Sequence, residues 1–152
     1  MSWTHRARPA LVAATVLTTL TLWAAPSSAS STTASETVPI WPTSRLACSG
    51  ENAVGSPIIG TVHIRSDRDG PVVAEVSLKD GRPNTRYEFI LLQTPGESGG
   101  CNKPADGILT TNSQGNGNVR LSAKRLPDTT GALVISVDPE LLVSGHYVFG
   151  DK

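Results

Sequence analysis

The chain has 152 residues, room for one ordinary domain. Its 13 Lys and Arg residues balance 13 Asp and Glu, interspersed without a basic run. Neutralising several phosphates needs clustered cations, as does holding an anionic membrane surface, so the charge pattern argues against both and no nucleic-acid partner is expected.

The first residues have the order of a secretory signal: a positive stretch with Arg6 and Arg8, an apolar stretch from Ala10 to Ala25, then Pro26-Ser27-Ser28-Ala29 with small residues at the cleavage positions. The apolar stretch is shorter than the roughly 20 residues a membrane helix needs. Residues 1–29 are therefore expected to be a signal peptide cleaved after Ala29, with Ala34 as a second option, leaving a secreted extracellular chain without a membrane span. Ala7 separates the two arginines, so the twin-arginine pattern is absent. Leu46-Ala47-Cys48 follows Arg45 far from the apolar stretch, which argues against a lipid anchor. Cleavage removes Arg6 and Arg8, leaving 11 cationic against 13 acidic residues and a net charge of −2, and leaves Trp41 as the sole tryptophan.

Both cysteines, Cys48 and Cys101, belong to the mature part, and paired cysteines are the rule in exported proteins. Their bridge would close a loop of about 53 residues, worth roughly 4 kcal/mol through the restricted unfolded chain. No C-x-x-C spacing points to a reactive thiol instead.

Residues 30–47 read as a flexible lead-in, Ser/Thr/Ala-rich at first, with a short extended piece at Val38–Pro42 that its prolines would confine to an edge or keep out of a sheet. Residues 48–152 read as the β-sandwich domain. Ile58–Arg65 and Val72–Leu78 alternate in polarity about the turn Ser66–Gly70 and make the clearest hairpin. Tyr87–Leu92 is apolar almost throughout, as in a central strand buried on both faces. Thr94–Gly107 reads as a long loop containing Cys101. Ile108–Thr111 and Asn118–Lys124 flank Asn112–Gly117, rich in residues that tolerate positive φ. Ala132–Val137 and His146–Phe149 complete about seven strands, and only Pro139–Ser144 could form a helical turn. Short alternating strands with turns every 8–12 residues predict an all-β, antiparallel, immunoglobulin-like sandwich with one disulfide, a small barrel being the alternative.

Asp80-Gly81-Arg82-Pro83-Asn84-Thr85-Arg86-Tyr87 resembles the turn-then-tyrosine approach to a strand in bacterial immunoglobulin-like domains, and Leu109–Gly117 is similar to their Thr-x-x-x-Gly-x-Gly hairpins. Cys101-Asn102-Lys103-Pro104-Ala105-Asp106 faintly resembles the apoproteins of the neocarzinostatin type, secreted actinobacterial sandwiches that carry a small chromophore. The chain differs from their two-disulfide pattern in having two cysteines, and no binding residue is carried across. As a whole it resembles small secreted actinobacterial immunoglobulin-like proteins of unassigned activity.

Four patterns invite a chemical reading. Gly96-Glu97-Ser98-Gly99-Gly100 is close to the surroundings of a trypsin-like nucleophile, and His63 and Asp69 or Asp80 precede it. That chemistry needs base, acid and oxyanion hole together, on a scaffold about twice this length. Asp67-x-Asp69-Gly70 recurs in calcium loops, but the corresponding first position is Arg65, where calcium needs an oxygen ligand. His63 and His146, the two mature histidines, each stand alone, without ligand-like spacing to another His or carboxylate. Asp138, Glu140 and Asp151 lie near the C-terminus, and a glycosidase would need two carboxylates across a sugar-sized cleft. Each pattern is explained by solvated turns or a polar strand face. No catalytic, cofactor-binding or metal-ligating residue is assigned, and neither an enzyme nor a cofactor is expected. The expected function is a secreted, monomeric, non-catalytic binding or surface-associated module for an extracellular ligand or envelope component, with Thr94–Gly107 and Asn112–Asn118 as contact loops. A small-molecule carrier or a secreted protease inhibitor are the alternatives.

Overall fold

The computed structural model describes residues 34–45, 55–67, 70–95 and 101–150. The expected signal peptide, Cys48, the Gly96–Gly100 motif, Asp69 and Asp151 lie outside the described residues.

Nine strands form one antiparallel sheet: β1 (Ala34–Pro42), β2 (Gly60–Ser66), β3 (Pro71–Leu78), β4 (Arg86–Pro95), β5 (Asn102–Thr110), β6 (Gly117–Lys124), β7 (Thr129–Asp138), β8 (Leu142–Ser144) and β9 (Tyr147–Val148). Their order around the sheet is β5-β4-β7-β8-β1-β2-β3-β6, and β9 also pairs with β7. There is no helix among the described residues. The sheet curls until its two end strands, β5 and β6, lie against one another, giving a nearly closed, barrel-like form. This contact is made by side chains rather than a ladder. A Cβ at Gly107 of β5 would sit 2.6 Å from Leu121 Cδ2 of β6, so glycine permits the close approach.

Alternation decides what faces inward. Val62 and Ile64 of β2, Val72, Ala74, Val76 and Leu78 of β3, and Leu121 and Ala123 of β6 are buried in the main core. Between these inward positions, Thr61, Glu75, Arg120 and Ser122 are exposed, and His63 and Arg65 are partly so. The register places Thr37, His63, Glu75 and Arg120 in one row across four strands. Glu75 sits 3.8 Å from Arg65 and 3.6 Å from Arg120, pairs that contribute little because both partners are solvated.

β4 and β7 are buried on both faces, as the apolar run Tyr87–Leu92 implies. Tyr87, Phe89 and Leu91 point into the main core with Ala132 and Val134, while Ile90, Leu92, Leu133 and Ile135 point the opposite way. The outward set forms a second core with Trp41 and Val143, and Cys101 packs against it. Trp41 is 1% exposed, and the chain returns to cover it at Gly55, where a Cβ would lie 2.3 Å from the indole Cδ1.

Three segments differ from the sequence-based expectation. Residues 34–42, expected within the flexible lead-in, form β1, an interior strand paired to β2 and β8. Its prolines are tolerated because the ladder to β8 covers only Ile40–Pro42, which leaves Pro39 outside it and Pro42 at its very end. Pro39 lies where β8 has ended, and its carbonyl accepts the Gly145 N–H at 2.9 Å. The expected Thr94–Gly107 loop is mostly strand: β4 continues to Pro95 and β5 begins at Asn102. β5 is expected only over its last residues, from Ile108; residues 102–107 read as loop because β5 ends the sheet's hydrogen-bonded path and only Leu109 of its residues is fully buried. Residues 142–144 are strand β8 rather than a helical turn, because Leu142 and Val143 pair with Ser136 and Ile135 and bury their side chains in the two cores. The count of about seven strands therefore becomes nine.

Replacing Trp41 by Ala is expected to destabilise the protein by about 3–5 kcal/mol, the usual cost of deleting a large buried aromatic. Val148→Ala, at a 63% exposed position, should change stability by less than about 0.5 kcal/mol. Urea unfolding followed by far-UV circular dichroism checks both.

Candidate functional site

Strand direction places the connections at two ends of the barrel. Residues 79–85, 111–116 and 139–141 meet at one end, and Asp67, Gly70 and residues 125–128 meet at the other with the starts of β1 and β5. Asn112–Asn118 therefore lies at the first end, while the Cys101 side of Thr94–Gly107 lies at the second. The two expected contact loops are not neighbours.

The first end is interlocked. The Tyr87 hydroxyl accepts the Arg82 N–H at 2.8 Å and donates to Glu140 at 3.2 Å. Arg82 in turn meets Glu140 through Nε and Nη2, both at 3.3 Å. Thr111 Oγ1 accepts the Thr85 N–H at 2.9 Å and donates to the Arg82 carbonyl. In the 111–116 turn, Asn112 Oδ1 accepts the N–H groups of Gln114 and Asn116. Gly115, at φ 80°, donates its N–H to the Asn112 carbonyl at 3.0 Å and accepts from Gly81 at 3.1 Å. Burial, with the Glu140 carboxylate close by, pushes the Tyr87 hydroxyl above its ordinary pKa. Tyr87, Thr111, Arg82 and Glu140 thus tie the turns of this end to one another.

The second end is built differently. Gln93 of β4 is 0% exposed. Its Nε2 donates to the Lys124 carbonyl at 2.9 Å and its Oε1 accepts the Leu126 N–H at 2.8 Å. One carboxamide thus substitutes for ladder bonds where β6 ends and the chain crosses to β7. Thr129 Oγ1 closes the same turn by donating to the Leu126 carbonyl at 2.7 Å. Beside this turn lies a shallow cleft of about 520 Å³, open to solvent and lined by Asn102, Lys103, Pro104, Leu126 and Pro127. It marks where β5 and β6, in contact further along, part from one another.

The C-terminal strand completes this end. The Arg125 guanidinium lies 4.3 Å from the centre of the Phe149 ring, and Phe149 meets Tyr147 edge to face at 5.8 Å. Tyr147 is 3% exposed, and among the described residues its hydroxyl has no hydrogen-bond partner. Burial raises its pKa, the Glu36 carboxylate adds to that and Arg125 opposes it. His146 Nε2 lies 2.9 Å from Thr94 Oγ1, and burial lowers the pKa of the imidazole.

The residues weighed from sequence for chemistry are dispersed. His63 sits on the solvated outer face, its Nδ1 3.1 Å from Thr37 Oγ1, and His146 belongs to the second end. No group of three or more His, Cys, Asp or Glu side chains capable of holding a metal occurs among the described residues. Among them, too, no cysteine is free and no helix is long and apolar enough to cross a membrane. The residues that shape the second end, Gln93, Arg125, Leu126 and Pro127, were not singled out. A polar Gln93 directly after the apolar run Tyr87–Leu92 was the available signal, since an amide so placed must find partners for its donors and acceptor.

The two buried tyrosines should respond oppositely to loss of the hydroxyl. Tyr87→Phe is expected to cost about 1–3 kcal/mol, because it removes an acceptor for a backbone N–H and a donor to a carboxylate. Tyr147→Phe is expected to be neutral or stabilising by up to about 1 kcal/mol, because it removes a desolvated hydroxyl without partners. Chemical denaturation of both variants checks the contrast. His146 is harder to protonate in the folded chain than in the unfolded chain, so the unfolded state binds more protons just below the ordinary histidine pKa of about 6.5. Stability due to this group is complete above about pH 6.5 and is lost as pH falls through the lowered folded value. Melting temperatures between pH 7.5 and 5 should show a smaller acid-side decline for His146→Gln than for the wild type.

Compared with protein-family models, curated proteins and solved structures, the chain finds no match in any of the three.

Proposed function

We propose that the protein is a secreted, monomeric, non-catalytic binding module of immunoglobulin-like design, and that its second end, around Arg125 and Lys103, carries the contact surface. The observation that carries the reading is the asymmetry of the two ends. At the first, Arg82, Tyr87, Glu140 and Thr111 are committed to one another. At the second, strands part around an open cleft whose wall is held by a fully buried Gln93. Rigid strands with a shaped, solvent-facing end are how such sandwiches present ligand contacts. What supports the reading is the all-β, antiparallel strand set, here curled into one nearly closed, barrel-like sheet rather than two separate ones. The proposal includes export through residues 1–29 and a Cys48–Cys101 bridge. Cys101 lies against the second core, so the bridge would fasten the β1–β2 connection to that core. The carrier reading ranks behind this one, since Tyr87, Phe89, Leu91 and Tyr147 already occupy the space between the strands.

Tagged protein incubated with the envelope and culture medium of the producing organism tests the proposal. A partner retained by the wild type should be lost from an Asn102→Trp, Lys124→Glu double variant at the second end. It should be kept by a Lys79→Glu, Arg86→Glu double variant at the first. Retention by both variants would place the contact elsewhere, and recovery of no partner would count against a binding module.

A further inference from the structure

We propose that the cleft beside Lys103 is a docking site for an extended acidic peptide segment of a partner protein. This rests on the reading of the second end as the binding end and assigns the chemistry of what it binds. The lining offers three aliphatic surfaces, Pro104, Leu126 and Pro127, one carboxamide, Asn102, and one cation, Lys103. Prolines and leucine suit aliphatic side chains, the carboxamide can both donate to and accept from a peptide group, and the ammonium selects a carboxylate.

Three features narrow the occupant. The first is charge. Lys103 is the one ionisable residue lining the cleft; Lys124, Arg125 and Asp128 flank Leu126 and Pro127 in the chain, and the acids Asp67 and Glu36 belong to the same end of the barrel without lining the cleft. Arg125, engaged with Phe149 and Thr129, contributes its field rather than a mobile arm. The second is shape. The cleft is shallow and open, so an occupant must gain further contacts by running past it, as a chain segment does and a compact small molecule does not. The third is the edge. β5 is the end strand of the path, so its start can pair with an added extended segment, limited by Pro104, which has no N–H to donate. The lining holds no aromatic ring on which a sugar could stack, which disfavours a polysaccharide. The wall is pre-formed, because Gln93 and Thr129 hold the backbone at Lys124 and Leu126.

Fluorescein-labelled peptides of alternating Glu and Val, and of alternating Lys and Val, titrated with the full mature protein provide the test. Anisotropy measures affinity, and ¹⁵N–¹H spectra report the Asn102, Lys103 and Leu126 amides. The acidic peptide is expected to shift those three amides and to bind at least tenfold more tightly than the lysine peptide. Lys103→Glu and Leu126→Asp should each weaken binding about tenfold or more, while Lys79→Glu at the opposite end changes it less than twofold. Leu126→Ala, a milder change checked for folding by the same spectra, should weaken it in the same direction. The proposal is overturned if the acidic peptide fails to bind at about 1 mM, if Lys79→Glu weakens binding as much as Lys103→Glu, or if dextran sulfate shifts the same amides at lower concentration than the peptide. A natural partner that the second-end double variant loses but Lys103→Glu retains would sink this inference and leave the binding-module reading standing.

Discussion

The architecture depends on burying β4 and β7 on both faces. Their side chains alternate between two apolar environments, with Phe89, Leu91 and Val134 on one side and Leu92, Leu133 and Ile135 on the other. A strand pair of that composition cannot leave either face in water, since exposing each large aliphatic side chain forgoes about 1.5–3 kcal/mol. The curled sheet covers the inner face. The outer face needs its own cover, which Trp41, Val143 and Cys101 supply. This requirement explains why β1 is an interior strand despite two prolines: it must carry Ile40 into one core and Trp41 into the other.

The same constraint shapes the ends. Strands that follow the curl cannot all keep their ladders to the last residue, so backbone groups at the rims need side-chain partners. At the first rim the hydroxyls of Tyr87 and Thr111 serve, tied to Arg82 and Glu140. At the second, Gln93 reaches across from β4 to the end of β6. The two rims thus use different side chains: hydroxyls that interlock the turns at one, and the buried Gln93 carboxamide that holds the wall of the cleft at the other. Burying them has a cost that hydrogen bonds offset only when every donor and acceptor is met. Among the described residues the Tyr147 hydroxyl is the exception to that accounting, on a ring that meets Phe149 edge to face.

The sequence patterns succeeded where burial was one-sided or complete. Val72–Leu78 alternates because one face of β3 meets the core and the other meets water. Tyr87–Leu92 does not alternate because both faces are covered. The 111–116 turn was legible from its Asn and Gly content, and Gly115 has the positive φ that such a turn requires. The patterns failed at β1, where prolines argue against pairing unless the missing partner strand is known, and over residues 102–107 of β5, where an end strand with polar residues reads as a loop. Of the second end, the segment containing Lys103 was within a suspected contact loop. Leu126 and Pro127, which form its opposite wall, carried no signal of their own.

Sequence alone determined the all-β, antiparallel character of the chain, the central place of Tyr87–Leu92 and the polar outer face through His63 and Arg65. Each of these follows from the period-two exposure of a strand, which is local information. Only the tertiary structure decided which strands neighbour which, that Trp41 belongs to a second core, and that Asn102 and Leu126 share a cleft while the two suspected contact loops lie apart. Those relations depend on pairings between segments far apart in the chain. They are selected by the summed burial of the whole domain rather than by any one segment's preference.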